Sequence, residues 1–291
     1  LKKIGLSYQK AKFESDRLDD DAHQATRQEW IEKKLPEIIK KANAEGSVVL
    51  FGDEVSFAMW GSLGRTWAPI GKQPVVKTTG VRKGLKIFGA IDLMTGSFHY
   101  RESRQYVLTQ KSFAALKKMG MPAETVKGLK AAINKTVFLT RQAFLARVQA
   151  HMSKATYEAY QASILQLADV PGRFNGESYI EFLKQLIDAN DWPVILIEDG
   201  APYHGRLIVQ DFVKAHSQHL TVERLPSFSP DYNPIEKLWK NTKRDATHLK
   251  YFEQFEELRD AVVSTFESYI NEASKVLSVM SKMRREFGLT G

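Results

Sequence analysis

The chain of 291 residues has no cysteine, which excludes a disulfide framework, a thiolate metal site and a cysteine nucleophile, so any metal must take oxygen or histidine ligands. Hydrophobic residues make up 43%, enough for a sizeable core, while no apolar run reaches the roughly 18 residues of a membrane span and no charged-then-apolar leader opens the chain; the expectation is a soluble, unsecreted, cytoplasmic protein, at the nucleoid if bacterial. The net charge of +8 is uneven: ten lysines and arginines face three acids between Ser103 and Gly172, a concentration that suits nucleic acid, although solvated helix faces are also rich in lysine.

Residues 1–18 are short of any period and read as a linker. The chain opens on Leu1 rather than methionine, the expectation for a fragment or processed form. From Asp19 to Ala44 the apolar positions Trp30, Ile31, Leu35, Ile38 and Ile39 have helical spacing, with Pro36 kinking or dividing the helix. A strand over Val48–Phe51 runs into Gly52, Asp53 and Glu54. An irregular or hairpin segment follows, rich in glycine and aromatics, in which Trp60 and Trp67 read as core residues or as platforms for an unpaired base. Leu85–Leu93 and Ser97–Glu102 flank Met94-Thr95-Gly96 as an antiparallel hairpin, with Asp92 as a turn residue.

From Gln105 to about Val170 the texture is that of helices, interrupted at Gly120, Pro122 and Gly128 and closed by Pro171 and Gly172. An amphipathic helix over Glu177–Ala189 leads into Val194-Ile195-Leu196-Ile197, an apolar run bounded by proline and glycine that reads as a strand buried on both faces. Asp199 stands at its exit, where Gly200 and Pro202 break the strand. Leu207–Ala215 is another helix and Leu220–Leu225 another strand, followed by a proline-rich turn, a helix from Pro234 to about Thr247, and helices from Phe255 to about Phe287.

Three meandering strands, then two strands separated by helices, then closing helices is the order of an α/β RNase H-like fold, a mixed five-stranded sheet with flanking helices and an all-helical insertion between the third strand and the following helix. The expected division is 1–45 linker and N-terminal helix, 46–102 first part of the core, 103–172 basic insertion, 173–250 second part of the core, and 251–291 C-terminal helices.

Two apolar strands that both end in acids would bring Asp53 and Asp199 together if they lie side by side, and like charges that close need a cation between them. Glu54 and Glu198 neighbour these acids and would exchange roles with them if the strand faces were reversed, because adjacent strand residues point oppositely. A third acid, Glu236, follows Asn233 and Pro234 as the third residue of a capping box, yet the same placement beside Lys240 and Lys243 suits a metal-facing carboxylate with lysines for phosphate. His204 would contact phosphate, polarise a water, or simply begin a helix. No nucleophile elbow is present, which disfavours acyl transfer.

The sequence resembles the mariner-type DDE transposases, in their bacterial insertion-sequence branch. The residues that carry the resemblance are Gly52-Asp53-Glu54, Trp67-Ala68-Pro69-Ile70-Gly71 with Pro74, Glu198-Asp199-Gly200-Ala201-Pro202-Tyr203-His204, and Ser229-Pro230-Asp231-Tyr232-Asn233-Pro234-Ile235-Glu236 with Trp239; 36 residues lie between Asp199 and Glu236. The resemblance implies Asp53, Asp199 and Glu236 as a metal-binding catalytic triad. It implies two Mg²⁺ ions, with Mn²⁺ able to substitute, Asp53 bridging them and Asp199 and Glu236 completing one site each. It further implies cleavage of double-stranded DNA at the ends of an element and joining of the freed 3′-hydroxyl to a TA-containing target by a homodimer. The chain departs from the family in having Gly200 where asparagine is frequent, in lacking an N-terminal helix-turn-helix module, and in its basic insertion. Within that insertion Lys127, Lys130, Lys135, Arg141 and Arg147 are the expected DNA contacts, joined by His204, Lys240 and Lys243. Two other readings remain: a structure-selective nuclease of the same fold without strand transfer, and a domesticated DNA-binding protein with structural acids.

Overall fold

The computed structural model describes residues 21–63, 66–70, 72, 74–78, 80, 83–133 and 140–289. The linker expected over 1–18 and the expected DNA-binding residue Lys135 lie outside the described residues. The chain runs α1 (Asp21–Glu29), α2 (Leu35–Glu45), β1 (Val48–Ala58), β2 (Gly84–Asp92), β3 (Phe98–Glu102), β4 (Arg104–Tyr106), four helices α3 (Gln110–Lys118), α4 (Ala123–Ala132), α5 (Arg141–Gln149) and α6 (Lys154–Ala168), then β5 (Asp169–Pro171), α7 (Gly176–Asp188), β6 (Val194–Glu198), α8 (Leu207–Ala215), β7 (Leu220–Arg224), α9 (Ile235–Thr242), α10 (Phe255–Asn271), α11 (Ala273–Val279) and α12 (Ser281–Glu286).

The main sheet has the order β3-β2-β1-β6-β7. Its first three strands pair antiparallel, and β6 and β7 join parallel. This is the RNase H-like arrangement. The apolar residues of β1 alternate between two cores. Val49, Phe51, Val55 and Phe57 pack with Ile195 and Ile197 against α2, α9 and α10, and Leu50 and Leu196 pack with Tyr179, Phe182 and Leu183 of α7. Helices therefore cover both faces of the sheet, and strand parity decides which face each acid joins.

The first helix divides as Pro36 requires. A π-helical turn over Trp30–Lys34 separates α1 from α2, which has the proline in its first turn, where a missing N–H costs little. Gly46, in the left-handed region at φ 70°, ends α2. The hairpin β2-β3 forms as expected, and Asp92 makes its turn by accepting bonds from the Met94 and Thr95 amides at 2.6 and 2.7 Å. One expectation needs lengthening: β1 does not stop at Phe51 but continues through both acids to Ala58, because β2 goes on supplying hydrogen bonds as far as Gly84 after the pairing with parallel β6 has ended at Phe51.

The described residues of 103–172 are mostly helical, with a core of their own built on Leu116, Leu129, Phe144 and Ile164, but they are not all-helical as expected. A two-stranded ribbon, β4 against β5, closes its base. Gly128, expected to interrupt, lies inside α4. Among the described residues no helix is long and apolar enough to cross a membrane.

Candidate active site

Asp53 lies on β1 two residues beyond the last residue paired with β6, and Asp199 follows the end of β6 directly. By parity both point to the α9 face of the sheet. There they line one cleft of about 640 Å³ with Glu236 of α9, Asn233 and the loop Leu225–Pro230. The strands place two of the acids and the helix brings the third, with 36 residues of chain between Asp199 and Glu236.

The capping box expected at Glu236 is absent. The helix begins without a side-chain cap, and Asn233, only 4% exposed, instead donates from Nδ2 to the Gly52 carbonyl at 2.8 Å. That bond ties the start of α9 to the strand beside Asp53, which a local capping pattern cannot foresee because the partner is 181 residues away. Glu236 is exposed on one side to solvent and faces the cleft on the other, where desolvation by the surrounding protein raises its affinity for a proton, Lys243 lowers it and Asp199 raises it, with a net direction upward.

Asp53 is the most perturbed carboxylate of the cleft. Burial pushes it up to about 8, helped by the charges of Glu236, Glu54 and Asp199. Asp199 is raised as well, first by burial and then by Glu54. Like charges held together in this way favour either a shared proton or a cation. One oxygen from each of Asp53, Glu54 and Asp199 falls within a group no wider than 4.8 Å. An all-oxygen, carboxylate-rich donor set of this kind fits a hard divalent ion of the Mg²⁺ or Mn²⁺ type.

Glu198 points to the opposite face, and Glu54, although one of its oxygens lies within the group formed with Asp53 and Asp199, joins Glu198 in a second network. The His204 Nε2 lies 3.0 Å from Glu54 Oε1, and Nδ1 lies 3.0 Å from Glu198 Oε1 and 3.2 Å from the Asp199 carbonyl. Tyr203 donates to Glu54, and Tyr179 donates to Glu198. Burial alone would lower the imidazole, but its bonds and charge interactions with the two glutamates carry it up to about 10, so it is an imidazolium at neutral pH. The placement corrects two expectations. His204 is 4% exposed and does not face DNA; the two glutamates draw it under the sheet. Trp60 and Trp67, read as core residues or as platforms for an unpaired base, are 50% and 100% exposed, which removes the core reading.

The remaining expected DNA-binding residues lie apart from one another. Lys240 and Lys243 are exposed at α9 and the turn that follows it, near Glu236, whereas Lys127 and Lys130 are exposed on α4 and Arg141 at the start of α5, with Arg147 half-buried on α5. Three features were not anticipated. The Trp239 indole donates from Nε1 to Asp53 Oδ2 at 2.9 Å. Arg27 of α1 grips the cleft loop through Asp231 and the Phe228 carbonyl. Phe228 lines the cleft with a left-handed backbone at φ 54°. The only sequence signal for the first was the helical spacing of Glu236 and Trp239.

A mixed sheet of this order, with acids from β1, the end of β6 and α9 lining one cleft, is an RNase H-like fold. The family model described as DDE superfamily endonuclease matches residues 148–259. The fold is shared with solved structures of Mos1. The Mos1 strand transfer complex aligns with a TM-score of 0.55 at 12% identity, covering 99% of this chain and 65% of that one. The mariner paired-end complex with Mn gives 0.55 at 13% identity, covering 99% and 69%, and the paired-end complex with Mg gives 0.54 at 13%, covering 99% and 68%. The chain thus spans about 65% of the length of the first of these relatives. No curated protein sequence matches it.

Proposed function

We propose that this chain is the catalytic domain of a mariner-like insertion-sequence transposase, which cleaves double-stranded DNA at the ends of an element and joins the freed 3′ end to a target containing TA. The observation that carries the reading is the convergence of Asp53, Asp199 and Glu236 in one cleft at the edge of an RNase H-like sheet. Residues 46–102 and 173–250 form the catalytic core in this reading, and 103–172 is a DNA-facing insertion.

Asp53, Asp199 and Glu236 would hold two Mg²⁺ ions, or Mn²⁺ in their place; the Mos1 complexes that share the fold include one with Mn and one with Mg. Such ions, when bound, supply a lowered pKa for the attacking water or 3′-hydroxyl and stabilise the leaving oxygen. The chain's own part is to hold the carboxylates. The Trp239 indole bonds to Asp53, the Asn233 amide docks α9 on β1, and His204 bridges Glu54 and Glu198. Glu54 approaches the same cleft but has one oxygen already engaged by Tyr203 and His204, so we assign the third ligand to Glu236. Lys240 and Lys243 stand beside that ligand to receive phosphates. The paired-end form of the Mos1 complexes supports a homodimer acting on two ends at once.

The test uses Mg²⁺ or Mn²⁺ and duplexes carrying the DNA that flanks the coding sequence, either uncut or already cut at the end, with a TA-containing plasmid as target. Joined products from the cut duplex, lost in Asp53→Asn, are expected. Hydrolysis without joining would select a nuclease of the same fold instead, and DNA binding with unchanged behaviour after loss of the three acids would select a domesticated DNA-binding protein.

A further inference from the structure

The side chain that holds Asp53 comes from α9. Trp239 is buried, 2% exposed, and its indole Nε1 donates to Asp53 Oδ2 at 2.9 Å. Its ring cannot turn away: Phe98 and Phe266 pack on it with centroids at 6.0 Å each, edge-on and tilted. Beneath the ring, the residue paired with Asp53 across the β1-β2 ladder is Gly89. A Cβ added at Gly89 would stand 2.4 Å from the indole Cη2 and 2.8 Å from Cζ2, so the space that admits the ring exists only because that position has no side chain. Glu236 and Trp239 are three residues apart and share a face of the same helix, so one helix delivers both a cleft carboxylate and the clamp on the facing strand's carboxylate.

We propose that Trp239 is the positioning residue of Asp53, its indole N–H fixing one carboxylate oxygen so that the other faces the cleft, with Gly89 as the gap in the sheet that lets the indole reach. The proposal rests on the reading of Asp53 as a metal ligand for its consequence, though not for the hydrogen bond itself. A carboxylate at a metal site is ordinarily oriented by an outer hydrogen-bond donor, and loss of that donor costs about 10- to 100-fold in metal affinity or activity. A neutral donor suits this site, because it orients the carboxylate without adding a competing positive charge to the cleft.

The test separates the N–H from the ring. Site-specific replacement of Trp239 by benzothienylalanine keeps the bicyclic shape and removes the donor, while Trp239→Phe removes the donor together with part of the ring. The first readout is the indole ¹H–¹⁵N resonance of Trp239 in metal-free protein: it should shift on Asp53→Ala and stay in place on Glu236→Gln. The second is Mn²⁺ affinity by electron paramagnetic resonance, which should fall about 10- to 100-fold in the benzothienylalanine protein with its urea midpoint nearly that of the wild type. A purely structural tryptophan would lower the midpoint in Trp239→Phe and leave Mn²⁺ affinity of the benzothienylalanine protein at the wild-type value; that result overturns the proposal, as does an indole resonance indifferent to Asp53→Ala. Wild-type protein that binds no Mn²⁺ would overturn the metal reading instead, and the indole resonance would still decide whether Trp239 holds Asp53.

Discussion

Asp53→Asn replaces a carboxylate whose proton affinity the fold has raised from 3.8 to about 8, and the consequence for metal-free stability can be worked out. A group with a raised folded-state pKa binds more protons in the native state than in the unfolded one between these two values, so stability must fall as pH rises through that window. One proton accounts for a slope of at most about 1.4 kcal/mol per pH unit. The whole window sets a ceiling of roughly 6 kcal/mol, of which an open cleft that admits water keeps only part. His204, raised to about 10, adds loss of the same sign between pH 6.5 and 10, so the informative quantity is the difference between wild type and variant. Urea denaturation in a chelator at pH 5, 6, 7 and 8 should show the wild type losing stability relative to Asp53→Asn, with the variant the more stable at pH 8. Mg²⁺ should then restore the wild type at pH 8 and do little for the variant. Parallel pH profiles for the two proteins would refute the account, because they would mean that Asp53 ionises in the cleft without cost.

Glu236→Gln should leave stability within about 0.5 kcal/mol of wild type, the scale of an exposed substitution that removes no cap, and abolish cleavage in Mg²⁺; if Glu54→Gln abolishes cleavage while Glu236→Gln does not, the third ligand is Glu54. Neutralising Lys127, Lys130, Arg141 and Arg147 together should flatten the salt dependence of DNA binding by nearly one unit of log-log slope for each phosphate that no longer has a cationic partner, as read from fluorescence anisotropy across a salt series; an unchanged slope would assign the helical segment another task. Gly89→Ala, which forces a Cβ against Trp239, should cost about 1 to 3 kcal/mol as overpacking and should lower cleavage with it, whereas a stable and fully active variant would show that the ring has room to move.

The sheet and two of its acids were legible from the order of residues alone. Apolar runs over 48–51 and 194–197 mark strands without reference to anything distant, and chain continuity fixes Asp199 at the end of its strand, whereas Asp53 lies inside β1, which pairing with β2 prolongs to Ala58. The helical texture of 105–170 and the division of the first helix at Pro36 were legible for the same reason: period, proline and glycine act locally. What the sequence left open was which face each acid joins. Asp53 and Glu54 are adjacent and chemically alike, and only the packing of Phe51 and Val55 against α9 and α10, and of Leu50 against α7, sends one to the cleft and the other to His204. Local rules also misread Asn233 and His204. Each has a good short-range partner on paper, a helix end or a solvent phosphate, and each is taken by a buried group far away in the chain, the Gly52 carbonyl and the Glu54 carboxylate. An unpaired polar group in the interior costs more than an unmade surface cap gains, so tertiary structure decided those partners, and with them the clamp of Trp239 on Asp53.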